Sequence, residues 1–349
     1  MAPSIRVIGS LNADMVSVTP RFPEAGETIK ASSFMTGAGG KGANQAVACG
    51  RLSRPNPARS SSSAGSPITV EMVGAVGGRD AYFESLLRPT LEQSGLDTSR
   101  IRTVDDDHTG VAVIIVDTSA GGENRILFSP GANYTGMQPT PDVIGTALAA
   151  PIPDVIVMQG EIPAETIIGI LRSVKQFREA RRAEGKRGIE IGPEVIFNPA
   201  PAPPNGLPED VYAAVDHLIM NETEADIMTP KPEQLLQTVP EAKGEPSREQ
   251  IARYFHKLGV SYVIITLGAR GAWYSATDAG ATGPADGASR FTNETPAAKV
   301  DQVRDTTAAG DTFVGGYATH VARWREQRRA QGKSGQDLEV DEKKQRYQV

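Results

Sequence analysis

Residues 5–12 read "IRVIGSLN", a short apolar run rich in β-branched residues that ends in glycine and polar side chains. Six further runs of this kind follow: "VEMVGAVGG" (70–78), "GVAVIIVD" (110–117), "DVIVMQGE" (154–161), "EVIFNPAP" (194–201), "DHLIMNETE" (216–224) and "SYVIITLGARG" (261–271). Continuous rather than alternating apolar character is typical of strands covered on both faces, as in a parallel sheet.

Helix-like segments separate many of these runs, for example "GANQAVACGRL" (42–52), "AETIIGILRSVKQFREARRAE" (164–184) and "SREQIARYFHKLG" (247–259). A repeated order of strand, helix and strand predicts an α/β fold. In such folds, ligands bind beyond the carboxyl ends of the strands. Functional side chains are therefore expected where each run ends.

The composition of the chain excludes several classes of protein function. The chain has 349 residues, 39% hydrophobic and 22% charged, which is typical of a soluble globular protein. A net charge of −6 argues against sequence-independent nucleic-acid binding. Cys49 is the single cysteine, so no intramolecular disulfide is expected, and no apolar run approaches the ~20 residues of a membrane span. We expect a cytoplasmic protein, with the nucleus left open as a second location.

The most informative motif is "DTTAAGDTF" (305–313), a turn of small residues that opens a predicted helix. The first N–H groups of a helix lack partners and, with the helix dipole, bind anions. Ala309 and Gly310 would let a phosphate approach the backbone, while Asp311 could take a proton from an attacking hydroxyl. The spacing alone is equally compatible with an acid that merely suits the helix dipole.

Two further motifs fit the binding of sugar hydroxyl groups. "GSLNAD" (9–14) sets Asn12 and Asp14 at the end of the first strand, where they could grip neighbouring hydroxyl groups, or form an Asx turn. "GAGGKGANQA" (37–46) supplies a glycine loop, then Lys41 and Asn44, which share a face if Lys41 opens a helix. The alternatives are a solvated charge for Lys41 and a residue near a helix cap for Asn44.

Two more motifs fit a nucleotide. "NETE" (221–224) puts Asn221 and Glu224 where a helix starts; Glu224 could serve Mg²⁺, but the same letters form a capping box, and alone that interpretation is favoured. "TLGARG" (266–271) ends a strand with glycines suited to close nucleotide contact, or to a plain turn.

Two other motifs resemble known nucleotide-binding sequences but lack the context that those sequences require. "GAGGKG" (37–42) matches a dinucleotide fingerprint, but no acid stands about 20 residues later and no strand leads straight in. "GKS" (332–334) resembles the end of a phosphate-binding loop, but lacks the preceding strand and the first glycine.

Taken in order, these motifs resemble the ribokinase branch of the PfkB carbohydrate-kinase family. "GGKGANQAVA" and "DTTAAGDTFVGG" are similar to its two signatures, and "TGVAVI", "PGAN", "NPAPA" and "NETEA" to other segments. The resemblance covers roughly residues 4–322. Agreement at so many separated motifs is far more specific than any one of them.

The resemblance implies ATP-dependent phosphorylation of D-ribose at its 5-hydroxyl, with Mg²⁺ and an activating K⁺. By matching position, ribose is held by Asn12, Asp14, Gly40, Lys41, Asn44 and Glu161, and Asp311 is the base. The amides around Ala309, Gly310 and Asp311 form the anion hole. Asn221, Thr266, Gly268 and Gly271 serve the nucleotide, Glu224 the Mg²⁺ through water, and Asp305 with the Thr307 carbonyl the K⁺.

The implied fold is a three-layer α/β/α sandwich over residues 1–322 with a small β-sheet lid, from residues 12–38 and 107–129, that pairs with the lid of a second subunit. Residues 53–67 are expected to be a disordered insertion and 324–349 a polar tail. Only 38 residues follow Asp311, and we find no counterpart of the family's further apolar helices. Two alternatives therefore stay open: a kinase for another sugar or a nucleoside, and a non-catalytic sugar-binding homologue.

Overall fold

The computed structural model describes residues 2–54, 67–121, 123–204, 206–277, 290–300, 302, 306–338 and 342. The predicted insertion therefore falls almost entirely outside the described residues, as does Asp305. The strands are β1 (Ser4–Ile8), β2 (Asn12–Thr19), β3 (Ser33–Gly39), β4 (Thr69–Gly77), β5 (Leu96–Val104), β6 (Gly110–Asp117), β7 (Glu123–Ser129), β8 (Val155–Met158), β9 (Glu194–Phe197), β10 (His217–Asn221), β11 (Tyr262–Thr266), β12 (Ala272–Thr277) and β13 (Arg290–Thr295).

The α-helices are α1 (Lys41–Leu52), α2 (Arg88–Gln93), α3 (Ala132–Thr135), α4 (Pro141–Gly145), α5 (Ala164–Ala183), α6 (Glu222–Met228), α7 (Pro232–Thr238), α8 (Ser247–Lys257) and α9 (Ala309–Ala330). Shorter turns are a π-helix at Phe83–Leu87 and 3-10 helices at Thr146–Leu148, Gly188–Ile191, Glu209–Ala214, Pro240–Ala242 and Gly268–Arg270. None of these described helices is long and apolar enough to cross a membrane.

Among the described residues, nine strands form one large sheet in the order β13-β12-β11-β10-β9-β8-β1-β4-β5. The pairings from β11 to β5 are parallel, whereas β12 and β13 add an antiparallel edge. Every parallel strand therefore presents its carboxyl end at the same edge, which is where ligands are expected in this class of fold.

Helices cover both faces of this sheet. In β8, Ile156 and Met158 join the cluster on the side of α5, while Val155 and Val157 join the cluster on the side of α1 and α9. All four side chains are fully buried. Burial on both faces explains the continuous apolar character of the run, and each such side chain contributes about 1.5–3 kcal/mol.

A second, four-stranded sheet has the order β3-β2-β6-β7. The run at 110–117 forms β6 of this small sheet, so its apolar character does not come from burial in a parallel core. Most of its residues are only partly buried. The glycine run at 37–42 ends β3, which lies antiparallel to β2, so no strand of a dinucleotide-binding unit leads into it.

Helix α9 runs through the predicted start of the polar tail at Trp324 and ends at Ala330. Arg325 in its second half is buried, with a side-chain exposure of 5%, and pairs with the carboxylates of Asp154 and Glu194 at 3.3 and 3.2 Å. Its guanidinium also donates to the carbonyls of Ile189 and Gly192. Although residues 324–349 are mostly polar, this part of the chain therefore contributes buried ion pairs, rather than apolar packing, to the interior.

This contact yields a prediction for stability. Replacing Arg325 by methionine keeps most of the side-chain volume but removes the guanidinium that joins Asp154 to Glu194 and that serves two main-chain carbonyls. Asp154 keeps its ion pair with Arg329, and Glu194 keeps its contact with His217. We expect the free energy of unfolding to fall by about 3 kcal/mol, measured by urea denaturation.

The matched control is Arg172→Met, because Arg172 pairs with Asp210 at the surface, where both side chains are about half exposed. That change should cost less than about 1 kcal/mol. Equal losses in the two variants would contradict the anchoring role of Arg325.

Candidate active site

The amino-terminal ends of α1 and α9 meet at the carboxyl edge of the large sheet because the two helices pack unusually close. A Cβ at Gly315 of α9 would lie 2.4 Å from the Cβ of Ala48 and 2.9 Å from the backbone nitrogen of Cys49 in α1. No larger residue fits at this position. One turn earlier along each helix, the same contact brings Asp311 against the start of α1.

Asp311 lies 7% exposed at this junction. Its Oδ2 accepts a hydrogen bond from Asn44 Nδ2 at 3.1 Å, and its Oδ1 accepts one from Gln45 Nε2 at 2.9 Å. A carboxylate has about four acceptor positions. Asp311 therefore keeps further lone pairs for a hydroxyl group.

The start of α9 has the features expected of an anion site. Ala308, the residue before the helix, has φ 55°, in the left-handed region that a non-glycine residue rarely adopts. A Cβ at Gly310 would meet no described atom within 4 Å, so packing does not require glycine there. The amide of Ala309 donates to the carbonyl of Thr306. Within the described part of the chain, Gly310 and Asp311 are then the first-turn amides for which no backbone partner is found.

Asn12 and Asp14 lie at the root of the small sheet, close to the same junction. Asn12 is buried, and its Oδ1 accepts a hydrogen bond from Asn133 Nδ2 at 2.7 Å. Asn133 also bonds the backbone N–H and carbonyl of Leu11. Gly39 gives Asp14 room, because a Cβ there would lie 2.2 Å from its carboxylate.

Glu161 follows β8 and caps the start of α1. Its Oε2 accepts from the backbone amide of Lys41 at 2.9 Å and from the hydroxyl of Ser10 at 2.5 Å. Gly40, immediately before α1, has φ 87°, and a Cβ there would lie 2.8 Å from the backbone nitrogen of Asn12. The glycine loop therefore lets the helix start directly against the end of β1.

Three carboxylates share this pocket. Burial raises the pKa of Asp14 to about 6, and the negative charges of Glu161 and Asp311 add to the shift. The predicted sugar residues and the predicted base are thus near enough to influence one another. Asp311, which bonds Asn44 near the start of α1, and Asp14, which packs against Gly39 just before that start, therefore lie near one another.

Asn221 and Glu224 form the capping box that the sequence allows. Asn221 Oδ1 accepts from the Glu224 amide and Glu224 Oε2 accepts from the Asn221 amide, both at 2.8 Å. Burial raises the pKa of Glu224, the positive charge of Lys41 opposes this, and Asp311 adds to it. Glu224 is therefore both a cap and a neighbour of the pocket.

The remaining residues predicted to bind the nucleotide lie one strand further along the carboxyl edge of the large sheet. Thr266 ends β11 directly opposite Asn221 of β10. Gly268 and Gly271 follow with φ 58° and 104°. A Cβ at Gly271 would also lie 2.0 Å from the carbonyl oxygen of Thr295, so this turn needs glycine for its own packing.

The donor set fits a divalent cation held mainly by phosphate. The described residues contain no group of three or more His, Cys, Asp and Glu side chains that could hold a metal ion. Mg²⁺ keeps several waters and needs only one or two carboxylates beside phosphate oxygens, and Glu224 can supply one. Of the K⁺ residues, Thr307 lies in the exposed turn before α9, and Asp305 lies outside the described residues.

Sequence reasoning missed four polar side chains at this site: Ser10, Gln45, Asn133 and Asn198. Asn133 and Asn198 lie inside the motifs "PGAN" and "NPAPA", yet nothing in those letters showed what they bind. Gln45 directly follows Asn44, and its complete burial marks it as part of the interior rather than the rim.

Comparisons with known proteins identify the family of this chain. Residues 2–339 match the family model described as pfkB family carbohydrate kinase. The chain is 36% identical to the ribokinase of Schizosaccharomyces pombe, covering 91% of this chain and 85% of that protein. It is 32% identical to the ribokinase of Haemophilus influenzae, with the same coverage of 91% and 85%.

Among solved structures, the chain is similar to Arabidopsis thaliana ribokinase complexed with ribose and ATP. The TM-score is 0.68 at 28% identity, over 93% of this chain and 87% of that one. The predicted fold class, an α/β sandwich with a small β-sheet lid, is confirmed.

The carboxylate cluster yields a prediction about pH. The folded protein raises the pKa of Asp14 from 3.8 to about 6, so folding favours its protonated form, and the stability this contributes is lost as the pH rises through that interval. Asp14→Asn should therefore raise the free energy of unfolding by about 1–2 kcal/mol at about pH 8, and by little at about pH 4.

Denaturant unfolding of both proteins across this pH range measures the difference. Asp97→Asn serves as a control of opposite sign, because hydrogen bonds from Ser99 lower the pKa of Asp97. A loss of stability in Asp14→Asn at about pH 8 would contradict the described cluster.

Proposed function

This chain belongs to the pfkB family of carbohydrate kinases, and we infer that it transfers the γ-phosphoryl group of ATP to the 5-hydroxyl of D-ribose. The products are D-ribose 5-phosphate and ADP. The observation that carries this inference is the junction of Asp311, at the start of α9, with the polar side chains at the root of the small sheet. Relatives named ribokinase, matched over most of their length, support ribose as the sugar.

Asp311 acts as the general base. Its carboxylate takes the proton from the 5-hydroxyl, whose oxygen forms a bond to the γ-phosphorus of ATP. The bond from that phosphorus to the bridging β-oxygen breaks, and ADP leaves. The amides of Asn44 and Gln45 hold the carboxylate but leave acceptor positions open, which supports this role.

The backbone amides of Gly310 and Asp311 stabilise the negative charge on the transferring group. Both lie in the first turn of α9, where a helix provides no internal partners and its dipole favours anions. The open space beside Gly310 supports close approach of a phosphate. Ala309 contributes less than its motif implies, because its amide already donates to Thr306.

The sugar is held at the other side of the base. We propose that Asp14 accepts hydrogen bonds from the ribose hydroxyls and that Asn12 donates one to them. Glu161 would bind a further hydroxyl with the carboxylate oxygen that Lys41 and Ser10 do not use. Gly40 lets the sugar approach the backbone, and Lys41 and Asn44 complete the pocket at the start of α1.

The nucleotide lies along the neighbouring strand ends. We propose that Asn221, Thr266, Gly268 and Gly271 contact ATP. Mg²⁺ neutralises charge on the phosphates, and Glu224 holds it through water. Thr307, through its carbonyl, and Asp305 would hold K⁺ beside the first turn of α9.

The sharpest test of this function is Asp311→Asn, which keeps the size of the side chain but removes the base. We expect kcat to fall by about 10²- to 10⁴-fold, measured as ADP release with ribose and ATP. Asp226→Asn, on the exposed side of α6, should leave the rate unchanged.

The substrate is tested with the unaltered protein on ribose, 2-deoxyribose, fructose and adenosine. A clear preference for fructose or adenosine would overturn ribose as substrate. Ribose binding in calorimetry without ATP binding or turnover would instead support a non-catalytic sugar-binding protein.

We further propose a homodimer through the small sheet. Strand pairing puts Met35, Ile114, Ile126 and Phe128 on the same face as Asp14. Met35 and Ile126 are each 56% exposed and Phe128 38%, although all are apolar. Exposed apolar surface of this kind marks an interface, and this face continues directly into the sugar site.

Ile126→Lys should therefore shift the protein from dimer toward monomer in sedimentation equilibrium. The matched control is Leu127→Lys, because Leu127 is 64% exposed but points to the opposite face of the same strand. Dissociation by Leu127→Lys alone would assign the interface to the other face, and a monomeric unaltered protein would exclude the dimer.

A further inference from the structure

We propose that Gln45 is a positioning residue for the catalytic base: its amide fixes the orientation of the Asp311 carboxylate. This inference rests on the proposed function, because it assumes that Asp311 takes the proton of the sugar hydroxyl. It concerns a buried side chain behind the residues that face the substrates, which no substrate can reach.

Gln45 is completely buried in α1, with 0% exposure. Its Nε2 carries two hydrogens and donates both, one to Asp311 Oδ1 at 2.9 Å and one to Asn198 Oδ1 at 2.9 Å. Its Oε1 accepts from Gln159 Nε2 at 2.8 Å. Every polar hydrogen of this amide therefore has a partner, and the amide has no freedom to turn.

The direction of these hydrogen bonds follows from one main-chain group. Asn198 Nδ2 donates to the carbonyl of Ile219 at 2.9 Å, and a carbonyl can only accept. The nitrogen of Asn198 must therefore face Ile219, and its oxygen must face Gln45. Gln45 in turn must present its nitrogen to Asn198.

Because the two hydrogens of one amide nitrogen lie in one plane, the second hydrogen of Gln45 points at Asp311. The orientation set at Ile219 thus reaches the base through two side-chain amides. The chain of amides therefore fixes which atom of Gln45 faces Asp311: the nitrogen, which donates to Oδ1.

The two donors hold different oxygens of the carboxylate. Gln45 approaches Oδ1 from the interior, while Asn44, one residue earlier in α1, approaches Oδ2 from the partly exposed rim. Two fixed donors define the plane of the carboxylate, and one donor alone would let it rotate. A small misplacement of a catalytic group can cost about 100-fold in rate.

Core packing alone does not account for this residue. A buried amide is costly unless all its partners are present, and an apolar side chain of similar size would avoid that cost. A requirement for a hydrogen-bond donor at Asp311 explains why an amide occupies this buried position. A purely structural role predicts a loss of stability, whereas a positioning role predicts a loss of kcat.

The experiment uses Gln45→Leu and Gln45→Met, each of similar volume but without the donor, alone and combined with Asp311→Asn. We expect kcat to fall by about 10- to 100-fold in each single Gln45 variant, with KM for ribose and ATP changed less than about threefold. In the Asp311→Asn background, the same substitutions should cost little more, because Gln45 acts only through the base.

Two controls separate positioning from packing. Gln159→Leu removes a second buried amide that touches Gln45 but not Asp311, and it should lower kcat by clearly less than Gln45→Leu. Thr166→Val removes a buried hydroxyl that donates to Met137 outside the site, and it should lower stability without a change in kcat. Thermal unfolding and ribose calorimetry confirm that each variant is folded and binds sugar.

The outcomes distinguish this inference from the proposed function. Activity retained in Asp311→Asn would overturn the proposed base itself. Loss of activity in Asp311→Asn with full activity in both Gln45 variants would overturn only the positioning role. Equal losses of kcat in Gln45→Leu and Gln159→Leu, or additive losses in the double variants, would also overturn it.

Discussion

The close packing of α1 against α9 is the constraint on which the site depends. Gly315 allows the two helices to touch through backbone atoms, with almost no distance to spare. The starts of both helices then lie at one edge of the sheet, and their side chains meet there. Asn44 and Gln45 reach Asp311 only because of this contact. The proposed sugar pocket, which follows the start of α1, and the proposed phosphate site, which follows the start of α9, are adjacent for the same reason.

This arrangement concentrates negative charge where a further anion must bind. Burial raises the pKa of Asp14 to about 6, and the negative charges of Glu161 and Asp311 add to this shift. The left-handed backbone at Ala308 adds strain at the same place. The opposite edge of the sheet is different, because there Arg325 forms buried ion pairs with the carboxylates of Asp154 and Glu194. Stability at one end of α9 thus accompanies strain at the other.

The sequence predicted those parts of the protein that local patterns encode. Apolar runs identified the strands, and small residues before Asp311 identified the start of a functional helix. A run such as 110–117 could not be assigned to the correct sheet by pattern alone, because a thin sheet with partly buried faces has the same apolar letters as a core strand. The resemblance to a family supplied that assignment.

Contacts between distant residues were not predictable from local patterns. Asn133 reaches Leu11 and Gln45 reaches Asp311 across 122 and 266 residues of chain. Their motifs were visible, but which partner each amide meets depends on how the strands are ordered. The polar composition of the second half of α9 also did not reveal that Arg325 is buried. Arginines usually lie at the surface, and the burial of Arg325 depends on Asp154, which is distant in sequence.

Asn133 has a consequence for how the small sheet can move. It lies where the chain returns from β7 to the main body, and it holds Leu11 and Asn12 where the chain leaves for β2. One entry to the sheet, at β2, and one exit from it, after β7, are therefore pinned to each other by one side chain. A swing of that sheet would pull on Asn12, so the tilt of the sheet and the proposed contact of Asn12 with the sugar would change together.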